Sequence, residues 1–265
     1  MLEYARSTTC RMEFLRRQLD DAEAAPCGRC DNCTGERREA QVDASVVEAA
    51  GAHARRAWVP IEARRQWPTG MPSVGVGLRG KIPAGELAAE GRALARLTDL
   101  GWGATLRDML GAGVPDQPIR PQLLGAMINV LKEWAAEGGE TSGLAWSGVG
   151  RPVGIVMIDS RTRPRLLASL AEGISSIGKL PIAGSVHRVR DDAHAGPSNS
   201  AWRLRSVHEA FDLGPELRSR LAECPGPVLL IDDLVDSGWT MTVAARLLRQ
   251  AGAPAVLPLA LALAG

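Results

Sequence analysis

Four of the five cysteines in the chain stand near its start, at a spacing that suits metal coordination. Cys27, Cys30 and Cys33 form two overlapping Cys-x2-Cys turns. Cys10 precedes the first of them by seventeen positions. A structural zinc site needs four thiolate or imidazole ligands in a tetrahedron, so this spacing predicts a closed four-thiolate site. An iron–sulfur cluster is one alternative, and unrelated buried cysteines are another, whereas the separate Cys224 is predicted to be a small apolar residue.

A second candidate site follows the apolar run at residues 228–231. Two carboxylates, Asp232 and Asp233, end this predicted strand, and a short loop leads from them into a predicted helix. A small-residue loop at a helix N-terminus offers backbone N–H groups and a positive dipole end to an anion. The sequence therefore predicts a sugar-phosphate site, in which carboxylates bind ribose hydroxyls or a metal ion. The loop residues assigned to this site are Asp236, Ser237, Gly238, Trp239 and Thr240.

Positive charge is concentrated in residues 51–81. This stretch has a net charge of +5, from six Lys and Arg residues against Glu62, although the whole chain carries only +1. A local surplus of this kind is typical of a nucleic-acid contact, and a solvated face is the alternative. The predicted contacts to DNA phosphates are Arg64, Arg65 and Lys81.

Several classes of function and location are excluded by what the sequence lacks. A nucleotide-binding P-loop needs Gly-Lys followed by Ser or Thr, but the two Gly-Lys pairs here continue with Ile82 and Leu180. The sequence contains no apolar run of transmembrane length and no signal-peptide pattern, so a cytoplasmic, nucleoid-associated protein without a membrane partner is expected. In that compartment thiols stay reduced, which favours metal binding over disulfides.

Three regions differ in composition along the chain, and the fold class predicted for the whole is α/β. We predict a small α-helical zinc-binding module at 1–40 and a helical, winged-helix-like middle domain at 41–143. Two amphipathic helices are expected in that middle domain, at 84–101 and 120–138. Apolar β-rich runs alternate with helical patterns at 144–265, which predicts an α/β domain with a parallel sheet.

The cysteine-bearing segment is similar to a known family. YARSTTCRMEFLRRQLDDAEAAPCGRCDNC, residues 4–33, closely resembles the zinc-binding segment that follows the motor domains of RecQ-family DNA helicases. The resemblance includes the cysteine spacing, the TCR entry at 9–11 and the CDNC ending at 30–33. It implies DNA as a partner and N-terminal helicase motor domains that precede this chain in a longer protein. It also implies one structural zinc ion on Cys10, Cys27, Cys30 and Cys33.

The acidic loop resembles a second family. LLIDDLVDSGWT, residues 229–240, resembles the phosphoribosyl-pyrophosphate loop of type I phosphoribosyltransferases, and the resemblance covers roughly residues 151–265. It implies ribose hydroxyls on Asp232 and Asp233, a 5′-phosphate on residues 237–240, and Mg²⁺ with the phosphoribosyl ligand. Asp236 takes the position of the candidate acid/base carboxylate in that family. The matching pyrophosphate-loop residues are Ser160, Arg161, Thr162 and Arg163.

The order of these parts resembles the C-terminal region of a RecQ-like helicase type of actinobacteria. We therefore expect an accessory region of an ATP-dependent 3′-to-5′ DNA helicase that acts in unwinding and repair, with a last domain that binds phosphate or docks other molecules. Two alternatives stay open: an active phosphoribosyltransferase fused to the helicase, and a zinc-stabilised scaffold that recruits repair proteins. The sequence identifies no catalytic residue.

Overall fold

We analysed a computed structural model of the protein. The chain forms two compact units, Met1–Ala50 and Gly51–Gly265. Both predicted domain boundaries, at 40/41 and 143/144, lie outside the described residues. The structure describes residues 2–36, 42–54, 58–137, 145–190 and 199–265.

The first unit is helical and has almost no apolar interior. Its helices are α1 (Leu2–Arg6), α2 (Arg11–Gln18), α3 (Asp31–Thr34) and α4 (Ala44–Ala54), the last of which crosses the division between the units. Among the described residues of this unit, Cys10 alone is buried. Hydrophobic burial is the usual dominant driving force for folding, so this unit depends on some other source of stability.

The second unit is built on one seven-stranded sheet. Its strand order is β1-β2-β7-β6-β3-β4-β5, and the five inner strands from β2 to β4 are parallel to one another. The outermost strands, β1 and β5, run antiparallel to β2 and β4, so the sheet is mixed rather than parallel throughout. The strands are β1 (Val59–Ile61), β2 (Gly91–Arg96), β3 (Gly154–Ile158), β4 (Ile182–Arg188), β5 (Phe211–Leu213), β6 (Val228–Val235) and β7 (Val256–Leu263).

Helices cover both faces of this sheet, as a parallel sheet with two apolar faces requires. On one face lie α5 (Gly103–Leu110), α6 (Pro121–Ala136) and α7 (Pro164–Gly178), packed through a core that includes Leu170 and Trp134. On the other face lie α8 (Ser200–His208), α9 (Pro215–Glu223) and α10 (Trp239–Gln250), with a core that includes Leu204 and Trp239. The α/β fold class predicted for the chain is confirmed.

The predicted winged-helix-like middle domain differs from what the structure contains. Residues 84–101 were expected to be a helix, but they form a short 3-10 turn at Ala84–Glu86 and strand β2, which pairs with β7. This prediction was wrong because contacts with a distant strand override local helix propensity. Gly91 permits the approach, since a Cβ there would lie 2.5 Å from the Cβ and carbonyl oxygen of Pro258. The second expected helix, at 120–138, is present as α6.

Candidate functional site

The four clustered cysteines come together in the first unit. The four Sγ atoms all lie within 4.8 Å of one another. The sulfurs of Cys10 and Cys30 are 4.0 Å apart. A tetrahedron of sulfurs at about 2.3 Å from zinc has S–S edges of about 3.8 Å, so the cluster fits one ion with four ligands. The residues that form this cluster are Cys10, Cys27, Cys30 and Cys33.

Backbone N–H groups point at the sulfurs and prepare them for a cation. The N–H groups of Glu13 and Cys27 donate to Cys10 Sγ at 3.4 and 3.1 Å. These two hydrogen bonds, that of Glu13 first, lower the pKa of the Cys10 thiol to about 6. The pKa of Cys30 is also lowered, chiefly by the backbone N–H of Arg11, whereas a hydrogen bond with Cys30 raises the pKa of Cys33 to about 11. The thiolate, which is the form that binds metal, is thus favoured at Cys10 and Cys30.

Polar side chains between the cysteines hold the two halves of the cluster together. Asn32 Nδ2 donates to the carbonyl oxygens of Ser7 and Thr9 at 2.8 and 2.7 Å. Arg11 Nε donates to Asp31 Oδ1 at 2.8 Å. These contacts tie α3 to the segment that enters α2. They explain why the residues between Cys30 and Cys33 are Asp and Asn, a role that the spacing of the cysteines alone did not reveal.

The second candidate site lies at the carboxyl edge of the sheet, between β3 and β6. These neighbouring parallel strands continue in opposite directions across the sheet, β3 through α7 to β4 and β6 through α10 to β7. Ligands of open α/β sheets bind at such a switch point. The loops after the two strands meet there, since Ser160 Oγ lies 3.4 Å from Asp233 Oδ2.

The two carboxylates predicted to bind ribose are buried inside β6. Asp232 and Asp233 each retain only 7% exposure. Arg163 Nη1 lies 3.5 Å from Asp233 Oδ2, so Asp233 has a cationic partner. Burial, together with the negative charge of Asp233, raises the pKa of Asp232 well above its ordinary value. Of the two carboxyls, Asp232 is therefore the one in which the protonated form is favoured.

The loop after β6 is held from outside by an arginine. Arg64 Nε and Nη2 donate to the carbonyl oxygen of Ser237 at 3.2 and 2.8 Å, and the guanidinium lies 5.2 Å from the ring centroid of Trp239. Arg203 Nη1 lies 2.8 Å from Asp236 Oδ2. Arg64 thus braces this loop, and its contact with DNA stays a prediction.

Trp239 anchors the start of α10 instead of lining the loop. Its side chain is 2% exposed, stacks on Trp67 with 6.2 Å between ring centroids, and donates from Nε1 to Ser200 Oγ at 2.9 Å. Gly238 caps the helix with φ of 78°, a left-handed conformation that glycine adopts without steric cost. Of the predicted residues, Gly238 and Trp239 therefore present only backbone to a ligand, whereas the half-buried Ser237 and Thr240 also carry hydroxyl groups.

A large open groove connects the acidic loop with the basic stretch. Its volume is about 1580 Å³, and residues 236–238 line it together with the predicted DNA contacts Arg64, Arg65 and Lys81. Arg96 adds a fourth cation, and the carboxylates of the lining are Glu62, Glu90 and Asp236. The sequence placed these residues in two different domains, whereas the structure places them along one surface of the second unit. Arg55 and Arg56, which share the basic stretch, lie outside the described residues.

The predicted pyrophosphate loop after β3 is occupied by its own contacts. Ser160 Oγ accepts a hydrogen bond from the backbone N–H of Arg163 at 3.1 Å. The guanidinium of Arg163 donates to Thr162 Oγ1 at 3.2 Å and also binds the carbonyl oxygens of Leu110 and Gly111. Of the four predicted residues, Ser160 and Arg161 line a separate cavity of about 520 Å³ at the ends of β3 and β4.

That cavity contains residues that the sequence did not single out. Asp159 lines it, and Asp159 Oδ2 lies 3.0 Å from His187 Nδ1 on β4. Arg188 and Arg190 contribute two further cations to the lining. Only the pairing of β3 with β4 brings these residues together, so no local motif could have revealed the set.

Neither a scan against protein-family models nor a search of curated proteins found a match to this chain. Within the parts of the chain that the structure describes, there is no helix with the length and apolar character needed to cross a membrane. The site must therefore be interpreted from its own chemistry.

Proposed function

We propose that this chain is the C-terminal accessory region of a RecQ-like ATP-dependent 3′-to-5′ DNA helicase. The observation that carries the proposal is the cluster of four sulfurs within 4.8 Å, drawn from the segment that resembles the helicase zinc module. In this proposal the first unit supports motor domains that precede it, and the second unit engages DNA or another phosphate-bearing ligand near the nucleoid.

Zinc is the ion that we assign to the cluster. Four thiolates leave no open position, so the ion would be structural and would not take part in a reaction. Cys10, at the start of α2, and the cysteines around α3 would hold it and so join two short helices that share no apolar core. Mononuclear zinc needs only one set of four ligands, and the four Sγ atoms lie within 4.8 Å of one another.

We assign the groove of the second unit to the phosphate backbone of a DNA strand. Arg65 and Lys81 line it and would contribute the positive charge, because Arg64 is already bound to the Ser237 carbonyl oxygen. Contacts of this kind are independent of sequence and weaken with salt. The start of α10, beside the groove, offers backbone N–H groups to a phosphate.

Elemental analysis of the intact chain tests the metal assignment. We expect one zinc per chain, retained in Cys224→Ser and lost in Cys10→Ser, because Cys224 lies in the other unit, outside the cluster. Absence of stoichiometric metal from protein purified without chelators would refute the proposal. If the protein instead contains iron and shows the absorption spectrum of an iron–sulfur cluster, the cofactor is that cluster and not zinc.

Salt-dependent binding of a labelled single-stranded oligonucleotide tests the DNA assignment. The double variant Arg65→Gln/Lys81→Gln removes two charges from the groove, and Arg79→Gln/Lys132→Gln removes two charges outside its lining. Each phosphate contact to a single strand contributes about 0.7 to the slope of log K against log salt. We therefore expect the magnitude of this slope to fall by about 1.4 in the first double variant and to stay unchanged in the second. Equal slopes for both variants would count against the groove.

A further inference from the structure

The start of α7 is closed by a carboxylate from a distant part of the chain. Asp116 Oδ2 accepts a hydrogen bond from the N–H of Arg165 at 2.8 Å, and Asp116 Oδ1 accepts one from the N–H of Leu166 at 3.1 Å. Asp116 lies between α5 and α6, about fifty positions before the helix that it caps. It therefore occupies the place that an external anion would take at this helix N-terminus.

The remaining N–H positions of this first turn are also accounted for. Four N–H groups at the start of a helix have no partner within the helix. At α7 the N–H of Arg163 donates to Ser160 Oγ, Pro164 has no N–H, and the next two positions bind Asp116. No N–H group is left there for a ligand.

The segment that carries Asp116, residues 110–119, is fastened to α7 at both ends. Arg163 binds the carbonyl oxygens of Leu110 and Gly111, and the N–H of Ile119 donates to Ser169 Oγ at 2.7 Å. We call residues 110–119 the cover segment. Its attachment points lie on either side of Asp116, so the carboxylate is held in place over the helix start.

The start of α10 differs in its capping and in its N–H groups. No side chain caps it, and no described group of the protein accepts a hydrogen bond from the N–H groups at positions 238–241. The two strand–loop–helix connections at the switch point are thus unequal: the one after β6 is open to an anion and the one after β3 already holds an anion of its own.

We infer that Asp116 is a specificity-determining residue that excludes a diphosphate such as phosphoribosyl pyrophosphate from this site. The inference rests on the proposed phosphate-binding role of the second unit. A diphosphate that spanned the switch point would bring its second phosphate group to the start of α7, where it would meet a carboxylate and N–H groups at positions 163, 165 and 166 that are already bound. A monophosphate needs only the start of α10.

Two sources of a phosphomonoester share this chemistry. One is a free sugar phosphate, and the other is the 5′-phosphate end of a DNA strand that lies in the groove beside Arg65 and Lys81. Binding of an oligonucleotide with and without its 5′-phosphate distinguishes them from ribose 5-phosphate alone. A preference for the phosphorylated end that exceeds the affinity for ribose 5-phosphate identifies the DNA end as the ligand.

Calorimetry with Mg²⁺ on the full chain tests the inference. In the unmodified protein we expect phosphoribosyl pyrophosphate to bind no more tightly than ribose 5-phosphate. In Asp116→Ala and Asp116→Asn, loss of the resident charge should strengthen phosphoribosyl pyrophosphate binding about tenfold, while ribose 5-phosphate binding stays constant. The matched control is Asp108→Asn, which removes an exposed carboxylate of α5.

Inorganic pyrophosphate separates this inference from the function on which it rests. It should bind the Asp116 variants better than the unmodified protein or the Asp108 control, even if ribose 5-phosphate binds to none of them. That result would reject phosphate binding at the start of α10 and would support the inference that Asp116 blocks the start of α7. Unmodified protein that binds phosphoribosyl pyrophosphate tenfold more tightly than ribose 5-phosphate, or variants without any gain, would overturn the inference. Asp116→Asn retains the size of the side chain and serves if Asp116→Ala does not fold.

Discussion

The two compact units of this chain are stabilised in different ways. In the first unit the described residues bury one cysteine and little else, and polar contacts surround a sulfur cluster. The second unit buries two apolar clusters on the two faces of its sheet. One chain thus combines a segment organised by polar contacts around a sulfur cluster with a segment held by hydrophobic burial, and each mode of stabilisation has its own point of failure.

Removal of the metal should produce the largest difference in stability between the two units. Structural zinc contributes about 10–16 kcal/mol of apparent binding energy in small modules. We expect a strong chelator to unfold the first unit and leave the sheet of the second intact, because none of the four clustered cysteines belongs to the second unit's core. Limited proteolysis followed by mass spectrometry would locate the cuts. Cuts distributed evenly over both units would contradict the division.

The converse experiment breaks the core of the second unit. Leu170 on α7 is fully buried, and Leu170→Ala should lower the free energy of unfolding by about 2–5 kcal/mol through lost burial and a cavity. Ile177 is on the same helix and is 55% exposed, so Ile177→Ala should cost less than about 0.5 kcal/mol. Thermal unfolding measures both, and metal content should be unchanged in each. Loss of metal from Leu170→Ala would show that the two modes are coupled.

A smaller effect is expected from a polar contact that positions the sulfurs. Asn32→Ala removes the donor to the carbonyl oxygens of Ser7 and Thr9. Outer contacts of this kind are worth about 10- to 100-fold in metal affinity, so competition with a chelator should reveal a loss in that range. Thr34→Val, which changes a neighbouring residue with no bond to residues 7–9, is the control. If Asn32→Ala and the unmodified protein bind the metal with equal affinity, Asn32 does not help to position the sulfurs.

The smallest effect concerns pH. The pKa of Asp232 is raised in the folded state above its ordinary 3.8, so between about pH 4 and the raised value the folded protein retains a proton that the unfolded chain has lost. Stability should therefore fall as pH rises through this window. Asp232→Asn should flatten that slope and add about 1 kcal/mol at neutral pH, about 2–4 °C in Tm. The control Asp108→Asn should retain the dependence of stability on pH. If Asp232→Asn also retains it, Asp232 is not its source.

Local patterns predicted part of this molecule well. The four cysteines could be identified because their spacing alone brings sulfurs together, and the cluster is confirmed. The apolar runs of the last region predicted β3, β4, β6 and β7 because buried parallel strands read as continuous apolar segments.

What the sequence did not reveal depends on partners far away in the chain. Strand β2 contains two alanines, two arginines and one leucine, all of which are good helix formers, and it is a strand because it pairs with β7, more than 150 positions later. Arg64 was assigned to DNA from a count of charges, and its bonds to the Ser237 carbonyl oxygen span 173 positions. Asp116 had no local signal at all, because its role exists only where the cover segment meets α7.

The pairing of β2 with β7 also sets a limit on how the molecule can be divided. A fragment that began at residue 144 would match the region suggested by composition, but it would lack the strand that borders β7. All eight residues of β7 are buried, so its unpaired edge would present backbone donors and acceptors beside apolar side chains, a combination that invites aggregation. The smallest piece of the second unit suitable for expression by itself therefore begins before Val59, in front of β1.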